Sequence, residues 1–405
     1  MKLLILLTHS YPYNTGEEFL SGELPHVSGF DRVVVCPCCM KSDDVRTREL
    51  PPGTECFPLR RETLGKAAYL RVLSLPCVRQ ECRRLLRSGR FSSGRVKNML
   101  FFMKNALEIY DAFRGCKELS EADDVTIYSY WFYDAAAAGA LLAADLRKRG
   151  VRVRLVSRAH GFDIHAERSE YGYLPMRFFL LNGVDRLFPC SMDGMRTILA
   201  EYPQFEPKLR VSYLGTRDEG EAPGSREEFH LVSCSYMVPV KRLHLIIEAL
   251  READFPVCWT HLGAGPLGEK LKALARELPP NVRAEFAGQM ENEAILNYYK
   301  THEVTAFVNV SSSEGIPVSV MEACSFGLPV VATDVGGTSE IVEDGKNGLL
   351  LPADFSPPEL LAKLRTLRDM SPEEYAGMCA ASRSVWREKF SADRNYGNFY
   401  RELCL

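Results

Sequence analysis

Ten short apolar runs, separated by longer amphipathic stretches, constrain this sequence more than any other feature. KLLILLT (2–8), RVVVCP (32–37), DVTIYSYW (124–131), VRLVSRA (153–159) and RLFPCS (186–191) occupy the first half. EFHLVSCS (228–235), VCWTHLG (257–263), VRAEFAG (282–288), VTAFVNV (304–310) and LPVVAT (328–333) occupy the second. They are rich in Val, Leu, Ile and Phe with little polar alternation, as parallel strands covered on both faces must be. Strands alternating with helices predict an α/β chain of doubly wound sheets. At 405 residues there is room for two such domains. The polar stretch TRDEGEAPGSRE (216–227) follows a further strand-like run, LRVSYLG (209–215), and reads as the link between them.

Composition narrows the class. Apolar residues make up 46% and charged residues 25%, the balance of a soluble globular chain. The net charge of −3 gives no global field to recruit nucleic acid. No run approaches the ~20 apolar residues of a spanning helix. LLILL (3–7) is too short for the apolar region of a signal peptide and reads as a buried first strand, so a cytoplasmic chain is expected. The thirteen cysteines are scattered. Cys36 and Cys39 have C-x-x-C spacing, but no second pair answers them, which favours reduced thiols over a zinc or redox site.

The segment SSSEGIPVSVMEACSFGLPVVATDVGGTSEIVEDGKNGLL (311–350) carries the most chemistry. Glu314 lies in a Gly-Pro loop after a strand, and Glu322 lies in the helix that follows. Gly315 permits close approach of backbone to a ligand. Pro317 suits the first helical position. The N–H groups of a helix start attract phosphate. Glu322 lies about 7.5 Å further along the axis at ~1.5 Å per residue. A nucleotide sugar fits this layout, with the sugar at Glu314, the diphosphate at the helix start and the ribose at Glu322. Ionised carboxylates accept hydrogen bonds only, which matches sugar hydroxyl donors.

EGIPVSVMEA, FGLPVVATDVGG and DGKNGLL, in that order, closely resemble the donor-site signature of the retaining family-4 glycosyltransferases. The resemblance covers nearly the whole chain. It implies the GT-B arrangement, two Rossmann-like doubly wound domains facing across a cleft: 1–216 for the acceptor, 217–384 for the nucleotide sugar, and a C-terminal helix, 385–405, crossing back to the first. VWREKFSADRNYGNFYREL (385–403) is amphipathic and suits that helix. Gly315, Ile316, Pro317 and Val318 would meet the donor. In SYMVPVKRLHLIIEAL (235–250), Lys241 would neutralise the departing diphosphate, stabilising charge that grows as the glycosidic bond breaks. Tyr236 stands where the family pattern has an arginine, which leaves Arg242 as the candidate second cation, although neighbouring helix residues do not share a face.

HLGAGPLGEKL (261–271) is similar to the family's Gly-x-Gly-Pro element, with Gly263 and Gly265 making a tight turn under the nucleotide. EFAGQM (285–290) resembles the strand end whose main chain, through Met290, meets the base. THSYPYNTGEEFLSGEL (8–24) resembles the N-terminal loop, placing Gly16 near donor phosphates or the acceptor hydroxyl. RAHGFDIHAER (158–168) carries His160, which in the family faces the donor sugar, and Asp163, a candidate for orienting the acceptor. The family pattern requires no metal or cofactor, and no Asp-x-Asp motif argues for one. A front-face transfer, in which the leaving phosphate takes the acceptor proton, is the mechanism the resemblance implies. A nucleotide-sugar epimerase or a sugar phosphorylase on the same fold, and a catalytically idle nucleotide-sugar binder, are the rival readings.

Residues 60–104 differ from the rest. Arg60, Arg61, Lys66, Arg71, Arg79, Arg83, Arg84, Arg87, Arg90, Arg95, Lys97 and Lys104 face only Glu62 and Glu81, a net of +10. Leucines and phenylalanines interleave with them. A basic amphipathic region of this kind reads as a membrane-surface contact, presenting the acceptor domain to a lipid-linked glycan at the inner membrane face. A solvated helical face covering the first sheet is the alternative.

Overall fold

The computed structural model describes every residue except 15, 42, 60–64, 66, 67, 115–121, 224–226 and 405. The chain divides into two compact units, Met1–Ser212 with Tyr396–Leu405, and Tyr213–Asn395.

The first unit is built on six parallel strands: β1 (Lys2–Thr8), β2 (Arg32–Pro37), β3 (Thr54–Cys56), β4 (Asp124–Ser129), β5 (Arg152–Ala159) and β6 (Arg186–Pro189), in the order β3-β2-β1-β4-β5-β6. β1 is central, with Leu7 registered against Cys36 on one side and Ser129 on the other. Its side chains alternate between two apolar environments, which is why the run shows no polar alternation. Leu3, Ile5 and Leu7 enter one core with Val125 and Ile127, while Leu4 and Leu6 enter another with Val33, Val35 and Tyr128. Each fully buried leucine contributes roughly 1.5–3 kcal/mol. Phe399, Tyr400 and Leu403 complete the second core, and Arg154 Nη1 donates to the Leu403 carbonyl at 2.5 Å.

The second unit repeats the plan with β7 (His230–Cys234), β8 (Val257–Leu262), β9 (Val282–Gly288), β10 (Ala306–Asn309), β11 (Val330–Thr333) and β12 (Gly348–Leu351), in the order β12-β11-β10-β7-β8-β9. Leu231, Trp259, Val308 and Val331 pack there with Ile246, Ile247, Leu360 and Leu364.

All ten expected runs contain a strand, mostly trimmed by one or two residues. The strand-like run 209–215 is not one. It lies beside β6 through two hydrogen bonds, Arg210 N to Leu187 O and Ser212 N to Pro189 O, both 3.0 Å, and the unit boundary falls within it. Residues 216–223 of the polar stretch are bound into the second unit, and 224–226 lie outside the described residues. The Thr216 N–H donates to Phe390 O at 2.9 Å and its hydroxyl accepts from Trp386 Nε1 at 2.7 Å. The Ala222 N–H donates to Phe326 O at 3.0 Å. Helix Pro372–Lys389 stays with this unit, and the chain rejoins the first at Tyr396.

Candidate active site at the strand ends

Ligands of open parallel sheets bind beyond the carboxyl ends of the strands, where the strand order reverses. In the second unit that point lies between β7 and β10. The turn after β7 delivers Lys241 and the loop after β10 delivers Glu314. Lys241 Nζ donates to Glu314 Oε1 at 2.7 Å, and Asn309 Nδ2 donates to the same oxygen at 3.3 Å. The two groups that the sequence assigns to different parts of a donor are therefore each other's partners.

The turn that carries Lys241 is held from below by a relay of buried side chains. Trp259 Nε1 donates to Ser233 Oγ at 3.0 Å, and Ser233 Oγ lies 2.8 Å from His261 Nδ1. His261 Nε2 lies 3.0 Å from the Ser235 carbonyl. Burial pushes His261 down to about 4, so the ring is neutral, donates through Nε2 and accepts through Nδ1. Gly263 and Gly265 serve the same turn. A Cβ on Gly263 would lie 2.1 Å from Ser235 O, and one on Gly265 2.6 Å from Met237 N. Their role is close backbone packing beneath the loop. Gly336 supports the opposite side, since a Cβ there would lie 2.0 Å from Glu314 O. The Gly337 N–H donates to Gly315 O at 2.7 Å.

Helix Val318–Ser325 opens beside this pair. Pro317 is its N-cap and accepts from the N–H groups of Val320 and Met321, so the helix starts one residue later than expected. Ile316 and Val318 are half-buried at its mouth. Glu322 is buried in the second turn, and Asn292 Nδ2 donates to its Oε1 at 2.7 Å. Burial pushes Glu322 up to about 7, against the pull of Asn292 and Arg217. Asn292 has no motif signal and was not anticipated. Met290 is half-buried in the segment after β9.

Arg242, the candidate second cation, is engaged elsewhere in this structure. It adopts φ +48° and turns its guanidinium away from the turn, donating to the carbonyls of Val310 (2.8 Å), Ala353 (2.7 Å) and Ser311 (3.2 Å). It clamps the β10 loop. Tyr236 is 59% exposed.

In the first unit two assignments change. His160 Nε2 lies 3.1 Å from Tyr130 O and Nδ1 lies 3.4 Å from Cys190 Sγ. Burial, with Arg158 nearby, pushes its pKa down to about 3, and burial pushes the Cys190 thiol up to about 12. A neutral ring therefore donates to the carbonyl and accepts from the thiol. Both nitrogens are used within the fold, which removes the expected bond to the donor sugar from this conformation. Asp163 is fully buried rather than presented to an acceptor. Its carboxylate accepts from the N–H groups of His160 (2.5 Å) and Phe132 (2.6 Å), and Arg177 binds its carbonyl. Gly16 is exposed at φ +96°, with Arg48 Nη1 on its carbonyl at 2.6 Å. The carboxylate that this loop turns inward is that of its neighbour, Glu17.

The basic stretch forms helices Ala68–Ser74 and Pro76–Arg87 and the start of Ser93–Arg114. Arg60, Arg61, Glu62 and Lys66 lie outside the described residues. Part of the charge is internal. Arg71 forms a two-pronged pair with Asp111, Arg90 meets Glu201 at 3.0 Å and Lys104 meets Glu108 at 2.5 Å. Arg79, Arg83, Arg87 and Lys97 are exposed, and so are Leu70 (73%), Leu86 (59%) and Phe101 (55%). Among the described residues, no helix is long and apolar enough to cross a membrane.

Residues 218–383, which contain the Lys241–Glu314 pair, match the family model of glycosyl transferases group 1. The putative colanic acid biosynthesis glycosyltransferase WcaL of Salmonella typhimurium is 28% identical over 278 residues, covering 65% of this chain and 66% of WcaL. D-rhamnosyltransferase WbpZ of Pseudomonas aeruginosa is 27% identical over 233 residues, covering 54% of this chain and 59% of that protein. The chain thus spans between 59% and 66% of the length of these relatives. Among solved structures, the lipopolysaccharide outer core galactosyltransferase WaaB in its apo form superposes with a TM-score of 0.69 at 15% identity, with both chains fully covered. HepE of Anabaena in complex with UDP-glucose gives 0.63 at 17% identity, covering 100% of this chain and 99% of HepE. At such identities they define the fold, which is the two-domain α/β GT-B class. The family match lies within the second unit, the part of the chain that carries the Lys241–Glu314 pair.

Proposed function

We propose that this chain is a retaining, metal-independent glycosyltransferase. It moves a sugar from a nucleotide sugar to a lipid-linked glycan acceptor in bacterial capsule, lipopolysaccharide or exopolysaccharide assembly. The observation that carries the reading is the Lys241–Glu314 pair at the β7/β10 reversal, beside a helix start and in front of buried Glu322. Names of relatives such as WcaL and WbpZ, and the UDP-glucose bound to HepE, support the nucleotide-sugar class.

On this reading the donor separates the pair. The diphosphate takes Lys241 and the helix N–H groups, and a sugar hydroxyl takes Glu314. As the C1–O bond breaks, its electrons pass to the phosphate oxygen, where Lys241 meets the developing charge. The acceptor oxygen attacks from the same face, and that phosphate oxygen receives its proton. No protein base is required, in keeping with a His160 ring already engaged at both nitrogens. Lys241 and the helix dipole carry the charge work, so EDTA should leave the rate unchanged. The exposed Leu70, Leu86 and Phe101 among Arg79, Arg83 and Arg87 support peripheral docking on an anionic inner-membrane surface. Flotation only with anionic liposomes, abolished by salt, is the expected result.

A thermal-shift panel of nucleotide sugars tests the donor, with ~2.7 kcal/mol of stabilisation at about a hundredfold excess over Kd. Donor-dependent release of nucleoside diphosphate, lost in Glu314→Ala, tests transfer. Equal release by both proteins would remove Glu314 from the mechanism. The idle-binder reading draws on Tyr236 and on the engagement of Arg242 elsewhere, and binding without release would favour it.

A further inference from the structure

The first unit has its own strand-order reversal, between β1 and β4, and the structure is built there around a single side chain. The turn after β4 carries three aromatics in succession, Tyr130, Trp131 and Phe132. Tyr130 and Phe132 are fully buried, whereas Trp131 is half-buried. Hydrogen bonds from several directions fix this turn. The Tyr130 N–H donates to Leu7 O at 3.0 Å. Tyr130 O accepts from His160 Nε2 at 3.1 Å. Trp131 O accepts from the Ser129 hydroxyl at 2.7 Å. The Phe132 N–H donates to Asp163 at 2.6 Å. Trp131 Nε1 donates to Glu17 Oε1 at 2.8 Å.

Glu17 is the centre of the arrangement. It adopts φ +54°, a conformation costing a non-glycine residue about 1–3 kcal/mol. In exchange its carboxylate reaches the N–H groups of His9 (2.7 Å), Ser10 (2.9 Å) and Tyr11 (2.8 Å) as well as the indole. Four donors match the roughly four lone-pair positions of a carboxylate, so Glu17 has no capacity left to act on a substrate. Its function is to lock the β1 loop to the edge of Trp131. With its N–H taken, the indole presents its apolar ring, packed on one side by His160 at 4.7 Å between centroids.

Resting on the transferase reading above, the geometry points to Trp131 as a stacking platform for a pyranose ring of the glycan acceptor, with Glu17 as its positioning residue. A pyranose has one face of C–H groups, and an aromatic ring with no polar handle left to offer selects that face. The crevice at a strand-order reversal is where such a ligand sits. His160 and Asp163 enter this site as well, as the groups that hold the platform's backbone.

Tryptophan fluorescence tests it directly, because Trp259 and Trp386 are fully buried and Trp131 dominates the acrylamide-accessible emission. A panel of methyl gluco-, galacto- and mannopyranosides and methyl N-acetylglucosaminide is titrated against wild type, Trp131→Phe and Glu17→Gln. At least one glycoside should protect wild type from quenching, and none should protect Trp131→Phe. Glu17→Gln, which loses a charge-assisted bond, should need about tenfold more glycoside. In turnover, Trp131→Phe should raise KM for the acceptor and leave KM for the nucleotide sugar in place, a split that a merely structural tryptophan does not produce. No protection of wild type by any glycoside, or equal protection in Trp131→Phe, overturns the platform. Failure of wild type to bind any nucleotide sugar would instead sink the transferase reading, because the quenching assay needs no donor.

Discussion

Lys241 Nζ and Glu314 Oε1, 73 residues apart in sequence, lie 2.7 Å apart across the ends of β7 and β10. Partly exposed pairs of this kind are worth about 0–1 kcal/mol, which is small enough for a diphosphate to displace. Glu314 thus competes with the ligand for Lys241. Glu314→Ala should bind UDP or GDP about threefold more tightly than wild type, while turnover of the nucleotide sugar is lost. Lys241→Ala should weaken both. Calorimetric titration decides it, and weaker nucleoside diphosphate binding by Glu314→Ala would show that the pair is not in competition with it.

Glu322 gives a pH signature. Burial lifts it from 4.5 to about 7. Between those values the folded chain holds a proton that the unfolded chain has released, so stability falls as pH rises through this window. The loss is about 3 kcal/mol and is complete above the folded value. Glu322→Gln should flatten that part of the stability curve in urea titrations at stepped pH. Ribose hydroxyls favour the ionised carboxylate, so nucleoside diphosphate affinity of wild type should rise over roughly pH 6 to 8. An affinity independent of pH would remove Glu322 from the ribose.

The strands were legible because β1 and its neighbours are apolar on both faces, and a run such as LLILL has few other uses. β3 and β12 were not, since Thr54–Cys56 and Gly348–Leu351 are only three and four residues long, each at a sheet edge. Among site residues, Glu314 and Lys241 were marked by local motifs, but their pairing follows from strand order, which no local pattern encodes. Asn292 and Glu17 were invisible for the same reason. His160 and Asp163 were marked as important, but their bonds within the fold run to Tyr130 and Phe132, some thirty residues earlier, and no local pattern encodes those.

Asp163 separates a structural role from an acceptor role. Burial raises it to about 7, with Arg177 and the bonds from Phe132 and His160 opposing. Asp163→Ala would leave two buried N–H groups unpaired, at about 1–3 kcal/mol each. It would also remove the carboxyl group that favours the charged form of Arg177, itself buried. A melting point lowered by several degrees, with no variant-specific change in donor binding to the second unit, is the expected result. An unchanged melting point with a raised KM for acceptor would restore the acceptor assignment.

Beneath the first sheet, Arg158 Nε lies 3.2 Å from Glu23 Oε2, and both side chains are fully buried. Glu23 Oε1 accepts from the hydroxyls of Tyr128 (2.8 Å) and Tyr400 (3.2 Å), and Arg158 stacks over Phe399 at 4.1 Å. The pair thereby holds the C-terminal segment in the first unit. Desolvation of both ions offsets most of their attraction, so the cost of losing one differs sharply from that of losing both. Glu23→Leu or Arg158→Met alone should lose about 3–5 kcal/mol by stranding a buried charge, whereas the double variant should recover most of that loss. Urea unfolding of the four proteins measures the coupling, and additive losses would mean that the two charges stabilise the fold independently.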